Sequence, residues 1–155
     1  MKLAIGSAQF GLNYGISNNI GKVQLNEIKR ILDTAKKNGI KTIDTAINYG
    51  SSEKILGEIG LDDWKVINKL PTLPSKEKNI AGWLKTNISK SLKKLKLSQI
   101  DYLLLHNPKD LLKSNQKEYL SELIKIQKSG IVKNLGISIY SPSDLDSIWK
   151  VSKPD

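Results

Sequence analysis

The chain has 155 residues, of which 39% are hydrophobic and 26% charged, with a formal net charge of +10, no cysteine and a single histidine. This length suffices for one domain with its own core. The composition excludes disulfides, thiolate metal sites and any zinc site built on two or three imidazoles, so no metal is expected. No apolar run approaches the roughly 20 residues of a membrane span, and no basic or apolar leader precedes the first strand-like segment, so no membrane partner and a cytoplasmic location are expected.

The positive charge raises the question of nucleic acid, and its distribution answers it. Arg30 is the only arginine, and the lysines are spread over every predicted helix. Specific readers of DNA or RNA rely on arginine forks and exposed aromatics, so no nucleic-acid partner is expected. The one dense run, Lys85, Lys90, Lys93, Lys94 and Lys96, shares a helix with Ile80, Trp83, Leu84, Ile88, Leu92 and Leu95, and reads as that helix's solvated face.

In chain order, Leu3 to Ala8 reads as a first strand and Gln9 to Gly15 as a glycine-rich loop without GxGxxG or P-loop spacing. Leu25, Ile28, Ile31, Leu32 and Ala35 recur at helical spacing, with Gly39 at the C′ position. Lys41 to Ala46, rich in isoleucine and threonine, is a strand that Asn48 and Gly50 end. Glu53 to Ile59 is a short helix closed by Gly60, Trp64 to Leu70 a third strand, and Pro71 and Pro74 force a loop. The lysine-rich helix leads into Ile100 to His106, the near-continuous apolar pattern of a strand buried on both faces. Leu120, Leu123, Ile124 and Gln127 mark an amphipathic helix closed by Gly130, and Lys133 to Ile139 a fifth strand. Ser141-Pro142-Ser143-Asp144 combines a cap, proline at N1 and an acid at N3, opening a helix whose buried side is Leu145, Ile148 and Trp149. A sixth strand is expected to start near Val151. The pattern is α/β, with five βα units and parallel strands in a single incomplete domain over residues 1–155.

Polar residues collect at one end of these strands. Asp44 ends the second, Tyr49 follows it, Lys69 ends the third, His106 the fourth and Ser138 the fifth. In a parallel α/β barrel that end is where ligands bind. Each residue has a plainer reading: a turn aspartate, a packed tyrosine, a solvated lysine, a structural histidine. Together their chemistry is coherent. A tyrosine of pKa near 10 donates protons poorly at neutral pH unless a cation such as Lys69 stabilises its phenolate. Asp44 would hold that lysine charged and oriented, and His106 would donate to a substrate oxygen. Such a site protonates a developing alkoxide, as hydride reduction of a carbonyl requires.

These residues resemble the motifs of the aldo-keto reductases. Ile43-Asp44-Thr45-Ala46 with Tyr49, Lys69 after an apolar strand, and Leu104-Leu105-His106-Asn107-Pro108 are similar to that family's aspartate, tyrosine, lysine and histidine segments, and Gly136-Ile137-Ser138 to its nicotinamide-contacting serine. Ile139 stands where the family often has asparagine. The resemblance implies a (β/α)8 TIM barrel, here partial, with Tyr49 as general acid, Lys69 and Asp44 tuning it, and His106 orienting a small-molecule aldehyde or ketone. It also implies Asp44 and Ser138 on the cofactor side, and NADPH, with NADH as the alternative, as hydride donor. The Gln9 to Asn19 loop and the segment after Pro108 are expected to border the substrate.

The family barrel is about twice this length. The expectation is therefore a truncated form, weakly active or inactive alone, with open edges through which it would self-associate. A half-barrel completed by a complementary chain and a non-catalytic basic binding module are the alternatives.

Overall fold

Strand and helix alternate throughout the described part of the chain, residues 3–150 of a computed structural model. The strands are β1 (Ile5–Gly6), β2 (Thr42–Asp44), β3 (Lys65–Leu70), β4 (Ile100–Leu105) and β5 (Val132–Ile137). Between and after them come α1 (Ala8–Gly11), α2 (Leu25–Lys37), α3 (Ser52–Ile59), α4 (Ile80–Leu95), a 3-10 turn (Pro108–Leu112), α5 (Gln116–Lys128) and α6 (Pro142–Trp149). The strands form one parallel sheet in the order β1-β2-β3-β4-β5. This is part of a (β/α) barrel, left open, with β1 and β5 as edges among the described residues. The expected start of a sixth strand at Val151 lies outside them.

Two apolar clusters cement helices to the sheet. Ile28, Leu32 and Ala35 of α2 and Leu56 of α3 meet Ile43 and Val66, while Leu84 and Ile88 of α4 and Tyr119 and Leu123 of α5 meet Leu103, Leu105 and Val132. The helix faces follow the 3.6-residue period, and the lysines of α4 are exposed, with Lys94 reaching back to Glu53 of α3.

Four details depart from the sequence reading. The first strand is only Ile5–Gly6, because Ala8 to Gly11 turns helical and buries Phe10 in the core. The apolar β4 is fully covered on one face, where Leu103 and Leu105 pack on helices; of the residues that alternation points to the other face, Ile100 is buried, Leu104 half-buried and Tyr102 40% exposed. Among the described residues no strand stands opposite to cover it. In α5 the buried pair is Tyr119 and Leu123, and Ile124 is exposed. In α6 only Ile148 is buried, and Trp149 is half in solvent. The acid half of the α6 cap is realised, with the Asp144 carboxylate accepting from the Tyr140 and Ser141 N–H groups at 3.1 Å.

Register carries the site residues up the sheet like steps. Asp44 is level with Gly6 and Ile67, and Lys69 with Leu104, which in turn is level with Gly136. Beyond the formal strand ends the ladder continues, from His106 N–H to the Leu70 carbonyl (3.2 Å) and from Ser138 N–H to the Leu105 carbonyl (2.9 Å).

Helices α3 and α4 approach closely at Gly57 of α3, where an added Cβ would lie 2.1 Å from the Lys94 carbonyl oxygen. Gly57→Ala should therefore force α3 and α4 apart and lower stability by roughly 1–3 kcal/mol. Denaturant unfolding measures this, and an unchanged midpoint would contradict the packing.

Candidate active site

Tyr49 is held by backbone on two sides. Past Asp44 the chain stays paired with β3, Thr45 N–H donating to the Ile67 carbonyl (2.8 Å) and Ile47 N–H to that of Lys69 (3.1 Å). It then turns, with Tyr49 N–H donating to the Ala46 carbonyl and Ser52 N–H to that of Tyr49, both at 3.0 Å. Gly50 takes φ +57°, a conformation that side chains rarely adopt. Gly11 abuts the same peptide so closely that a Cβ there would fall 1.8 Å from the Tyr49 carbonyl oxygen. Gly11, part of the glycine-rich stretch in the sequence, serves to seat the tyrosine's loop.

The Lys69 side chain is almost fully buried and ends against three groups. Its ammonium donates to Asp44 Oδ1 and, at 3.1 Å, to the Thr45 carbonyl, and it sits 5.1 Å from the centroid of the Tyr49 ring. The edge of one of the Tyr49 and His106 rings faces the other, with centroids 5.7 Å apart at an interplanar angle of 82°. Tyr49, Lys69, Asp44 and His106 thus form one cluster. Ser138 is brought to the same edge by its backbone bond on β4 and is half-buried there.

The electrostatics invert one expectation. The sequence suggested that Lys69 would make the phenol a readier acid, yet Tyr49 is pushed above the ordinary tyrosine value by burial and then by the negative charge of Asp44, with smaller contributions from Tyr140 and Tyr14. Burial is the largest cause, and the nearby ammonium is itself bonded to Asp44. The phenol therefore keeps its proton at neutral pH. His106 is pulled below the ordinary imidazole value by burial and by the Lys69 charge, against an opposing pull from Asp44. It is neutral at pH 7, with one N–H to donate.

Three supporting residues escaped the sequence reading. Ser52 Oγ donates to Ser7 Oγ (2.8 Å) and lies 3.2 Å from Thr45 Oγ1, all three hydroxyls fully buried. They tie the ends of β1 and β2 to the start of α3, below the Thr45 carbonyl that receives Lys69. The available signal was small hydroxyl residues at two strand ends and one helix start.

A cleft of about 610 Å³ opens beside His106, lined by Asn48, Thr72, Asn107, Lys109 and Tyr140 among others. Pro108 and Lys109 line this cleft as well. Of the Gln9 to Asn19 loop, Tyr14 is close enough to contribute to the Tyr49 shift, while Gln9 and Ser17 to Asn19 line a separate depression with Lys22 and Glu27. Among the described residues no three His, Cys, Asp or Glu side chains are grouped to hold a metal ion, and no helix is long and apolar enough to cross a membrane.

A model of the Aldo/keto reductase family matches residues 2–155. The chain belongs to this family. It is 30% identical over 128 residues to a glyoxal reductase of Bacillus subtilis, a match covering 81% of this chain and 45% of that enzyme. An aldo/keto reductase structure from Brucella melitensis superposes with a TM-score of 0.64 at 28% identity, over 96% of this chain and 53% of that one. One from Klebsiella pneumoniae in complex with NADP and acetate shares the fold at 18% identity, with a TM-score of 0.71 over 96% of this chain and 49% of that one. The chain thus spans about half the length of these aldo/keto reductases.

Titration of labelled tyrosine and histidine by NMR should place Tyr49 above the ordinary 10.0 and His106 below the ordinary 6.5. The depressed His106 also makes folding less stable as pH falls below the ordinary imidazole range, since the unfolded chain takes up the proton first. His106→Gln should flatten that acid-side loss. A Tyr49 midpoint below 10.0 would contradict the arrangement.

Proposed function

We propose that the cluster reduces an aldehyde or ketone to an alcohol, using a nicotinamide cofactor. What carries the reading is the Lys69 ammonium, bonded to Asp44 and set over the Tyr49 ring with His106 edge-on beside it. A bound NADPH, or NADH in its place, supplies the hydride. Every other role falls to this chain.

His106, neutral and adjoining the cleft, donates its N–H to the carbonyl oxygen and fixes the substrate's orientation. Tyr49 holds its proton until charge develops on that oxygen, then transfers it. The phenolate left behind faces the Lys69 charge, which costs little rearrangement because the ammonium is already in place. Asp44 and the Thr45 carbonyl keep Lys69 from turning toward solvent. Asp44 and Ser138 are the residues that would hold the nicotinamide. The donor set fits such a group: a half-buried serine hydroxyl after β5 and a partly exposed carboxylate at the end of β2, on the same edge of the sheet, suit an amide that both donates and accepts.

The open sheet favours a second element. β1 and β5 each have an unpaired side among the described residues, and Tyr102 is left uncovered on the face away from the helices. Such edges seek partners. We infer that the half-barrel associates with a second copy or a complementary chain.

Two measurements test these readings. Tyr49→Phe should lower NADPH-dependent aldehyde reduction by roughly 10²- to 10⁴-fold while leaving cofactor binding, followed by nicotinamide fluorescence, nearly unchanged; full turnover in that variant would remove Tyr49 from its role. Sedimentation velocity should show association that grows with protein concentration, and a monomer at every concentration would dispose of the inferred assembly.

A further inference from the structure

We propose that Glu53, a buried carboxylate outside the cluster, is a positioning residue that fixes the separation between Tyr49 and Lys69; the functional meaning of that separation rests on the reductase reading. Glu53 lies four residues after Tyr49, in the first turn of α3, and is 1% exposed. A carboxylate taken out of water must be compensated by partners. Lys94 Nζ lies 3.1 Å from Oε2, and Oε1 accepts from Ser91 Oγ (2.6 Å) and Asn68 Nδ2 (3.0 Å). The partners come from α4 and from β3, so this single side chain joins the helix behind Tyr49 to the strand that ends in Lys69.

The carboxylate also dictates how Asn68 is turned. An ionised carboxylate only accepts, so the Asn68 amide must present its NH₂ to Glu53 and Ser91. Its oxygen is thereby aimed at the Lys69 N–H, which donates to it at 2.8 Å. That acceptor is needed. Thr45 N–H and Ile47 N–H bond to the Ile67 and Lys69 carbonyls, so a continuing parallel ladder would offer the Thr45 carbonyl to the Lys69 N–H. The Thr45 carbonyl is taken by the Lys69 ammonium instead. Asn68 fills the vacancy in the ladder, and Glu53 holds Asn68 in the orientation that lets it. The Lys69 backbone is thus fixed by a group four residues from the phenol its ammonium serves.

Native-state amide hydrogen exchange on the 155-residue chain tests this without relying on turnover. In Glu53→Gln and Asn68→Ala, the Lys69 N–H should exchange about tenfold faster or more, and the Ile47 N–H should follow. The Ser138 N–H, on the far side of β4, should keep its protection. No change at Lys69, or a uniform acceleration across the sheet, overturns the proposal. Should Glu53→Gln fail to fold, Lys94→Met removes only the half-exposed partner and should still speed exchange at Lys69 selectively; equal protection there counts against the clamp. Ser91→Thr, which keeps the hydroxyl, should retain the protection that Ser91→Ala loses, and equal exchange in the two overturns the network. In carbonyl reduction assays the Glu53 and Asn68 variants should lose kcat roughly tenfold with KM unchanged. Absence of turnover in the unmodified chain would count against the reductase reading, while the exchange result would still decide the role of Glu53.

Discussion

An ammonium buried at the end of β3 is the constraint around which the rest of the structure is arranged. Removing a charged lysine head from water costs several kcal/mol even after relaxation, so Lys69 can stay there only with a carboxylate and further acceptors in fixed positions. Asp44 and the Thr45 carbonyl supply them, which requires β2 and β3 to pair in the register that sets Asp44 level with Ile67, two residues before Lys69. That pairing in turn needs the end of β2 anchored, and the buried hydroxyls of Ser7, Thr45 and Ser52 anchor it to β1 and α3. The glycines at 11 and 50 then let the loop close tightly enough to bring the Tyr49 ring over the same ammonium.

On the proposed reading, the cluster keeps protons where the reaction needs them. Burial and the charge of Asp44 both raise Tyr49, so the phenol keeps its proton in reserve. The Lys69 ammonium, already placed and desolvated over the ring, is a charge of the sign that a developing phenolate needs. Stabilisation specific to the charge that forms during reaction is what distinguishes catalysis from binding. The neutral state of His106 belongs to the same field: the charge of Lys69 disfavours an imidazolium, leaving a donor of fixed charge beside the cleft.

Much of this was legible in the sequence because period and punctuation agree with the fold. Helical spacing from Leu25 to Ala35, the stop at Gly60 and the β-branched stretch before Asp44 each specify one local structure, and the order of strand ends brings Asp44, Lys69, His106 and Ser138 to one edge. What stayed hidden depends on neighbours. The apolar run of β4 does not say that the space opposite Tyr102 is open, and the pair Tyr119 and Leu123 outcompetes Ile124 because the turn at Pro108–Leu112 packs beside α5. The direction of the Tyr49 shift needed coordinates, since it turns on how far the phenol is buried and how near it lies to Asp44. Glu53 and Asn68 looked like an ordinary helix start and an ordinary polar strand residue; only their meeting across 15 positions gives them a role.

The most direct measurement is of proximity in solution. Nuclear Overhauser spectra on protein with labelled tyrosine, histidine and lysine should show contacts from the Tyr49 ring to both the His106 ring and the terminal methylene of Lys69, consistent with separations of 5.7 Å between ring centroids and 5.1 Å from ammonium to ring. A folded chain in which the Tyr49 ring contacts neither residue would contradict the convergence from which the proposed chemistry follows.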